Sequence, residues 1–402
     1  MKKPIKFDTS LALVVLFLLI FGLIMITSIG VPKSITLSAP DVLYPNCSDA
    51  NVDCYLLFKK HLFRLGVGIA VFFIAFKLPM KFWKKVAPVI YIGTVALLFF
   101  VLLFGQGFGT IAKSWIVFFN TSFQPSEFAK LSIIFYLAYW FAKRRGNVES
   151  FKDGFIPFSL LSGLLILPIV LQNDYGSTLV IAIICASMYF IAGAKLKHLG
   201  VAFLVAMMCA IVVISSVPHV RERFQGFMRI SEECREDYCW QSYQANIAVG
   251  SGGLWGKGLT QGIQKNLWLP QASDDFIFAA SAEELGFLRI IFIVAAYFVI
   301  SLRGFSIASK AATDFEKYLA VGITMWIVIQ AFINIAVNTA LAPVTGITLP
   351  FVSYGGTSLV ASLVGIAILL NISQRTTYYA SSGNRGRVRR SRHTQYTRYR
   401  RA

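Results

Sequence analysis

Four acidic residues stand close together in "LPQASDDFIFAASAEELG", residues 269–286: Asp274, Asp275, Glu283 and Glu284. The whole chain has only 19 acidic residues against 38 basic ones, and an apolar run follows this stretch directly. A carboxylate at the edge of a membrane segment is well suited to accept a proton from a sugar hydroxyl, which is general-base chemistry. The stretch is therefore the first candidate for a catalytic site.

The spacing of these acids argues against a working pair of carboxylates. Asp275 and Glu283 are eight residues apart, which is roughly 12 Å along a straight helix, whereas the paired carboxylates of glycosidases lie about 5–9.5 Å apart. We therefore expect Asp275 to act alone or with a partner from another segment. The structural alternative is that Ser273, Asp274 or Asp275 caps the helix predicted over "FIFAASAEELGFLRII", although a cap needs only one acid.

Two further motifs place ionisable groups in or beside apolar runs, where insertion of a charge costs at least about 2.5–3.5 kcal/mol. In "FQPSEFAKL", Glu127 and Lys130 are spaced i, i+3 and can form an ion pair. That pair either joins two helices or contributes to a functional cavity. In "LQNDYGSTLV", Asp174 stands at a predicted helix start, where it is either an N-cap or a functional group.

Three other segments carry weaker signals. In "TIAKSWIVF", Lys113 is suited to hold a phosphate, and Trp115 is either part of that site or an interfacial anchor. The glycine-dense stretch at 250–258 lacks the ending of a nucleotide-binding P-loop, but its backbone N–H groups could approach a diphosphate. In "TGITLPFVSYGGTS", small residues at 355–356 favour close helix packing.

These residues must be positioned by membrane helices. The chain has 402 residues, of which 56% are hydrophobic, and its mean hydropathy is +0.65. Apolar runs of about 17–25 residues recur, the length of a membrane-spanning helix, and they predict an all-α polytopic membrane protein with about ten spans. The predicted span cores are 11–30, 61–79, 87–105, 127–142, 155–171, 175–193, 200–217, 284–302, 318–337 and 353–373.

Charge asymmetry predicts the orientation of these spans. Lys and Arg concentrate at the N-terminus, in the loops near residues 81–85, 143–152, 195–197 and 303–317, and in the C-terminal tail. By the positive-inside rule both termini are cytoplasmic, and residues 218–283 form one large extracytoplasmic loop. We therefore divide the chain into a membrane domain, residues 1–373, and a basic disordered cytoplasmic tail, residues 374–402. We expect this tail to lie on anionic lipid and the protein to bind no nucleic acid.

The four cysteines outside the predicted spans all fall in predicted extracytoplasmic loops, where disulfides persist. Cys47 and Cys54 share the first loop, and Cys234 and Cys239 share the large one. Local pairing within each loop is one hypothesis, and pairing between the loops is the alternative. The cysteine and histidine spacings predict no zinc site, and the identity of any other metal stays unknown.

The motifs together resemble the SEDS family of peptidoglycan polymerases, of the FtsW and RodA type. The segments that carry this resemblance occur in the family's order and cover almost the whole membrane part. They are "FQPSEFAKL" (123–131), "DYGSTLV" (174–180), "SYQANIAVGSGGLWGKGL" (242–259), "QKNLWLPQASDDFIFAASAEELGF" (264–287) and "NIAVNTALAPVTGITLPFVSYGGTSL" (334–359). The "QK" at 264–265 is more similar to the division branch, FtsW, than to the elongation branch.

The resemblance implies glycan polymerisation from lipid II with release of undecaprenyl diphosphate. It implies a location in the bacterial cytoplasmic membrane, at the division septum if the chain belongs to the division branch. The expected partners are a class B penicillin-binding protein, which is a single-pass transpeptidase, and other division or elongation proteins. A divalent cation (Mg²⁺ or Mn²⁺) or basic groups would stabilise the leaving diphosphate, and no organic cofactor is expected.

The family's catalytic aspartate stands immediately before "FIFA", which is Asp275 in this chain. The matched segments also supply expected substrate-binding or cavity residues. These are Lys113, Trp115, Glu127, Lys130, Asp174, Gln244, Lys265 and Ser353.

The sequence also departs from the family's pattern. Ser273 and Asp274 stand where the family usually has His-Thr, and Asp274 could either raise the pKa of Asp275 by like-charge repulsion or help to hold a cation. Ser114 stands where the family often has Arg, which weakens the phosphate role of Lys113. Asn173 replaces a usual proline. Two rival functions remain open, a lipid II flippase or other transporter and a non-catalytic division scaffold.

Overall fold

The computed structural model describes residues 7–40, 45–49, 51–105, 114–118, 121–144, 146–228 and 239–375. The first seven helices in this part of the chain are α1 (Thr9–Ile29), α2 (Val31–Ser38), α3 (Leu56–Lys77), α4 (Met80–Phe104), α5 (Pro125–Lys143), α6 (Ile156–Leu171) and α7 (Tyr175–Ile191). They are followed by α8 (Leu196–Ser216), α9 (Pro218–Met228), α10 (Trp240–Gly252), α11 (Ile277–Leu285), α12 (Phe287–Ser309), α13 (Asp314–Asn338) and α14 (Gly356–Arg375). A short antiparallel hairpin of β1 (Ile116–Phe118) and β2 (Thr121–Phe123) precedes α5.

Membrane-length helices dominate this architecture. Among the described residues, seven helices are long and apolar enough to cross a membrane: α1, α4, α6 with the π-helical turn before it, α8, α12, α13 and α14. The other three predicted cores fall on α3, α5 and α7. Helix α7 has only 17 residues, and α3 and α5 carry several charged side chains. The predicted class, a polytopic helical membrane protein, is confirmed.

The two ends of the membrane part lie at the same face of the bundle. Asp8 caps α1 by accepting the N–H of Leu11 at 3.0 Å, and its own N–H donates to Ser373 Oγ near the end of α14 at 3.1 Å. Arg303, near the end of α12, donates to the Asp8 carboxylate through Nε at 3.0 Å. An even number of crossings between α1 and α14 is consistent with this arrangement and with the predicted placement of both termini on one side.

The connection between α13 and α14, residues 340–355, carries irregular backbone into the core of the bundle. Buried backbone needs hydrogen-bond partners, and in a bilayer these must come from the protein. Gln330 Nε2 donates to the carbonyl of Thr348 at 3.1 Å, and Asn334 Nδ2 donates to the carbonyl of Ile347 at 2.6 Å. Polar side chains of α13 therefore fix the path of this loop.

The helical run predicted over "FIFAASAEELGFLRII" is broken into α11 and α12 at Gly286, and the predicted span core 284–302 therefore begins too early. Gly286 adopts φ +77°, a left-handed conformation that favours glycine. A Cβ at this position would lie 2.2 Å from the backbone N of Gly256. The close approach of these two glycines excludes a side chain and redirects the chain, so that the acids at 283–284 lie outside the membrane helix.

The first loop contains the Cys47–Cys54 disulfide, with the two Cα atoms 5.7 Å apart. The predicted local pairing is therefore present in this loop. Cys239 is also disulfide-bonded, whereas Cys234 lies outside the described residues. The remaining described cysteines, Cys185 and Cys209, are free, as expected for positions within spans.

We expect mass spectrometry of unreduced peptides to recover residues 47 and 54 in one cross-linked species. By the chain-entropy relation a loop of this length contributes about 2–3 kcal/mol to the free energy of unfolding. The Cys47→Ser and Cys54→Ser variants should therefore lose stability by similar amounts, and the double variant by no more than either. Recovery of both residues as free thiols, or a double variant with an additive loss, would contradict this pairing.

Candidate active site

Asp275 lies two residues before α11, and its main chain is held from a distant helix. Its carbonyl accepts hydrogen bonds from Asn334 Nδ2 at 2.8 Å and Asn338 Nδ2 at 2.9 Å. Asn338 Oδ1 also accepts the N–H of Ala279 in the first turn of α11 at 2.9 Å. Two amides of α13 therefore position the backbone of Asp275 and leave its carboxylate uncommitted.

The structural alternative, that Ser273, Asp274 or Asp275 caps this helix, is wrong. The N-cap position of α11 is Phe276, and it makes no side-chain capping hydrogen bond. Asn338 supplies the acceptor that a local cap would have supplied. The capping group comes from a residue 59 positions away in the chain, so that local sequence rules could not identify it.

The Asp275 carboxylate makes no hydrogen bond or ion pair with the described part of the chain. It is half-buried and faces the loop between α13 and α14, where a Cβ built on Gly346 would lie 3.7 Å from Oδ2. Burial raises the pKa of Asp275 from 3.8 to about 7, and the charge of Asp274 contributes to this rise. A base with a pKa near the working pH is suited to proton transfer.

The adjacent acid, Asp274, has a different environment. Its carboxylate forms an ion pair with Lys33 and accepts a hydrogen bond from Ser273 Oγ at 3.1 Å. Lys33 also donates to Gln271 Oε1 at 2.8 Å. Two neighbouring carboxylates thus have separate roles: Asp274 is bound within the protein, and Asp275 is available to a ligand.

Glu283 is fully buried and organises the loop after α10. It accepts hydrogen bonds from Lys257 Nζ at 2.6 Å and from the N–H groups of Ile263 and Gln264, both at 3.0 Å. A carboxylate surrounded by donors and closed to solvent has no lone pair to offer a substrate. Its role is therefore structural.

Glu284, also fully buried, ties the same loop to α1. Its carboxylate accepts from Lys265 Nζ at 2.7 Å, from Ser28 Oγ at 2.7 Å and from the N–H of Thr260 at 3.1 Å. Lys265, expected to contact substrate, is nearly buried and directs its ammonium to Glu284 and to the Thr260 carbonyl, the latter at 2.8 Å. Lys265 thus links the 260–265 loop to α11, and its contact with substrate stays a prediction.

The glycine-dense stretch does not present its central amides to a ligand. Gly256, Lys257 and Gly258 donate their N–H groups to protein carbonyls at 2.8, 3.0 and 2.9 Å. Two of those carbonyls belong to the acids at 283–284. The suggestion that these amides approach a diphosphate is therefore wrong, since they already bind within the protein.

Glu127 and Lys130 form the expected i, i+3 ion pair, with Lys130 Nζ 2.6 Å from Glu127 Oε1. Lys130 also donates to Gln330 Oε1 on α13 at 2.8 Å, and Gln330 in turn holds the 340–355 loop. The second Glu127 oxygen, Oε2, is buried with no hydrogen-bond partner among the described residues. The contact of Lys130 with Gln330 thus joins α5 to α13, one helical turn from the Asn334 side chain that donates to the Asp275 carbonyl.

Asp174 is the N-cap of α7 and accepts the N–H of Ser177 at 3.0 Å. It also accepts hydrogen bonds from Ser126 Oγ at 2.8 Å and Gln124 Nε2 at 3.2 Å, both from the start of α5. Its charge contributes to the raised pKa of Asp275. Asp174 is therefore both a helix cap and a member of the charged environment of the site.

The other expected site residues occupy varied positions. Gln244 is buried on α10, and Ser353 is buried in the 340–355 loop, where its Oγ accepts the N–H of Leu349 at 2.8 Å. Trp115 is half-buried beside the hairpin. Lys113 lies outside the described residues, and its role as a phosphate ligand stays a prediction.

Arg223 on α9 is a charged neighbour of the site that the sequence motifs did not indicate. Its positive charge lowers the pKa of Asp275, as does that of Lys33, and its Nη1 lies 3.5 Å from the Val344 carbonyl. The motif that contains it, "VRERF", matched no expected pattern. Arg223 could have been identified from the sequence because it lies on an amphipathic helix with two arginines, in a loop predicted to face away from the cytoplasm.

The described residues do not form a protein-held metal site. Within them no group of three His, Cys, Asp or Glu side chains comes close enough to hold a metal ion. The acid adjacent to Asp275 pairs with Lys33 through one carboxylate oxygen, and the cation role considered for Asp274 stays a prediction. A divalent cation therefore stays an expectation from the family resemblance.

Helices of membrane-spanning length, together with a half-buried carboxylate at Asp275 that makes no hydrogen bond within the described residues, define a polytopic helical membrane protein with a candidate site beside α11. The family model for cell cycle proteins of the FtsW, RodA and SpoVE type matches residues 8–378. The chain belongs to this family, and the resemblance stated from the motifs is confirmed.

Curated relatives agree with this assignment. The chain is 35% identical to a probable peptidoglycan glycosyltransferase FtsW of Geobacter sulfurreducens over 324 residues, which cover 80% of this chain and 86% of that protein. It is 35% identical to stage V sporulation protein E of Bacillus subtilis over 372 residues, which cover 92% and 98%.

Solved structures share the fold. A chain from a peptidoglycan synthase complex that coordinates polymerization and crosslinking matches with a TM-score of 0.71 at 24% identity, covering 91% of this chain and 97% of that one. The rod shape determining protein RodA of Thermus thermophilus matches with a TM-score of 0.65 at 24% identity, covering 91% and 96%.

Proposed function

We propose that this protein is a peptidoglycan glycosyltransferase that polymerises lipid II into glycan strands and releases undecaprenyl diphosphate. The names of its relatives support the reaction class. The observation that carries the proposal is the Asp275 carboxylate, which is held by its backbone, left without a protein partner among the described residues, and given a pKa of about 7. These are the properties of a general base.

In the proposed reaction, the 4-hydroxyl of one lipid-linked disaccharide attacks the anomeric carbon of another. A carbon–oxygen bond forms as the hydroxyl proton passes to Asp275, and the bond from the anomeric carbon to the diphosphate oxygen breaks. Undecaprenyl diphosphate leaves with the electron pair. Because Asp275 takes the proton during attack, the nucleophile becomes more reactive without forming a full alkoxide.

The leaving diphosphate needs positive charge nearby. Arg223 is a described cation that lies close enough to Asp275 to influence its pKa, and its guanidinium contacts a main-chain carbonyl. A divalent cation, Mg²⁺ or Mn²⁺, remains a proposal that rests on the family alone. The oxygens of the substrate diphosphate would supply ligands to such a cation.

The proposed location is the bacterial cytoplasmic membrane, with both termini in the cytoplasm and the site at the outer face. The division septum is the favoured place of action, because relatives named FtsW are prominent among the matches. The proposed partner is a class B penicillin-binding protein, since a structurally similar chain comes from a complex of polymerization and crosslinking.

The orientation can be tested with two single cysteines in a chain whose Cys185 and Cys209 are replaced by alanine. Asn266→Cys, exposed in the large loop, should react with a membrane-impermeant maleimide on intact spheroplasts. Lys152→Cys, exposed in a loop predicted to face the cytoplasm, should react only after permeabilisation. The reverse pattern would overturn the proposed orientation.

The reaction itself is tested with purified full-length protein, alone and with its transpeptidase partner, and fluorescent lipid II. Glycan strands resolved by gel electrophoresis support the proposal. Movement of lipid II between leaflets of a proteoliposome without strand formation would instead support a flippase. Absence of both activities in the presence of the partner would favour a scaffold.

A further inference from the structure

Lys33 and Asp274 form an ion pair directly beside the proposed base. Lys33 lies in the first turns of α2 and reaches the turn at 271–276, where it contacts both Asp274 and Gln271. The Asp274 side chain is 18% exposed and that of Lys33 is 34% exposed. A pair this close to solvent stabilises a fold only modestly, so that its position next to Asp275 requires another explanation.

The turn that carries both aspartates is rigid. The carbonyl of Gln271 accepts the N–H of Asp274 at 3.0 Å and the N–H of Phe276 at 3.2 Å. The carbonyl of Ser273 accepts the N–H of Tyr354 at 2.9 Å. Because the backbone is hydrogen-bonded on both sides of Asp275, the two aspartates are held as near neighbours on this turn.

We propose that Lys33 is a positioning residue that acts through Asp274, offsetting the charge of the carboxylate beside Asp275 so that Asp275 can lose its proton near neutral pH. This inference rests on the proposed role of Asp275 as the base. The pair leaves one negative charge at the reacting position, where two adjacent carboxylates would repel each other and favour a shared proton.

The charged groups around Asp275 support this role. Asp274 on the same turn and Asp174 at the start of α7 raise the pKa of Asp275, whereas Lys33 from α2 and Arg223 from α9 lower it. The groups that α13 presents to this turn, Asn334 and Asn338, are uncharged, as are Val344–Ile347 of the facing loop.

The two single variants of the pair should therefore shift the pKa of Asp275 in opposite directions. Lys33→Gln removes a lowering charge and leaves Asp274 unpaired, which raises the pKa of Asp275. Asp274→Asn removes a raising charge and leaves Lys33, which lowers it. A purely structural pair would give the two variants the same kind of defect.

The test is the pH dependence of kcat/KM for lipid II polymerisation by the full-length protein. We expect the midpoint of the acidic limb to rise by about one pH unit in Lys33→Gln and to fall by about one in Asp274→Asn. Lys33→Arg keeps the charge and should retain the parental profile. The double variant Lys33→Gln/Asp274→Asn should lie between the two single variants.

The inference would be overturned if both single variants kept the parental midpoint and lost kcat/KM by the same factor at every pH. If Lys33→Gln does not fold, the shift between Asp274→Asn and the double variant decides the question, because these two proteins differ only at Lys33. Asp275→Asn separates this inference from the proposed function. High activity in Asp275→Asn would refute the base itself, whereas an inactive Asp275→Asn with unshifted Lys33 and Asp274 variants would refute only the role of the pair.

Discussion

Replacing Asp275 by asparagine is expected to lower glycan polymerisation from lipid II by about 10²–10⁴-fold, the usual contribution of a general base. Asparagine has nearly the same size as aspartate but cannot accept a proton at neutral pH. The main-chain carbonyl at 275 would still accept hydrogen bonds from Asn334 and Asn338. The local fold should therefore persist, and the loss should appear in kcat rather than in protein yield.

Asp274→Asn is the matched control, because it makes the same chemical change one residue away. Asp274 is bound to Lys33 and Ser273, and its loss should change activity at pH 7 in either direction by less than about tenfold. The two variants should be compared at equal concentrations of folded protein, verified by size-exclusion chromatography and thermal unfolding. Near-parental activity in Asp275→Asn, or a larger loss in Asp274→Asn, would show that the base is a different carboxylate.

The largest stability effect is expected for Lys130→Met. Lys130 is fully buried between Glu127 and Gln330, and its removal leaves the carboxylate of Glu127 without its cation in the bundle. Breaking a buried ion pair from one side typically costs about 3–5 kcal/mol. The free energy of unfolding in mixed micelles should fall by that amount, and polymerisation should fall with it, since Gln330 also holds the 340–355 loop.

The double variant Glu127→Leu/Lys130→Met provides the control for this prediction. It removes both charges, and replacement of a buried pair by apolar residues is often neutral or stabilising. Gln330 Oε1 would keep its hydrogen bond from Trp326 Nε1 at 2.8 Å. We expect the double variant to recover most of the lost stability. A single variant as stable as the parent, or a double variant less stable than the single, would contradict the assigned role of the pair.

Interactions between near neighbours in the chain could be predicted from the sequence. The Glu127–Lys130 pair follows from its i, i+3 spacing, and the cap by Asp174 follows from its place before α7. All ten predicted span cores overlap helices, since long apolar runs favour helices in a membrane protein, although the core 284–302 begins before α12. Asp275 was identified through its position before "FIFA", a family signal rather than a physical one.

Contacts between distant segments could not be predicted in the same way. The partner of Asp274 is 241 residues away in the chain, and the group that caps α11 comes from α13. The break at Gly286 depends on the approach of Gly256 from another loop. Local sequence rules do not say which distant segments meet. They therefore predict one continuous helix through residue 286 and a cap from the nearest acids, and both differ from the structure.

The most direct test of the central claim is the release of undecaprenyl diphosphate by purified protein supplied with lipid II and its transpeptidase partner. The proposed glycosyltransferase should release one undecaprenyl diphosphate for each glycosidic bond formed, and Asp275→Asn should suppress both products in parallel. Chain growth without this release, or equal release by the parent and Asp275→Asn, would contradict the account.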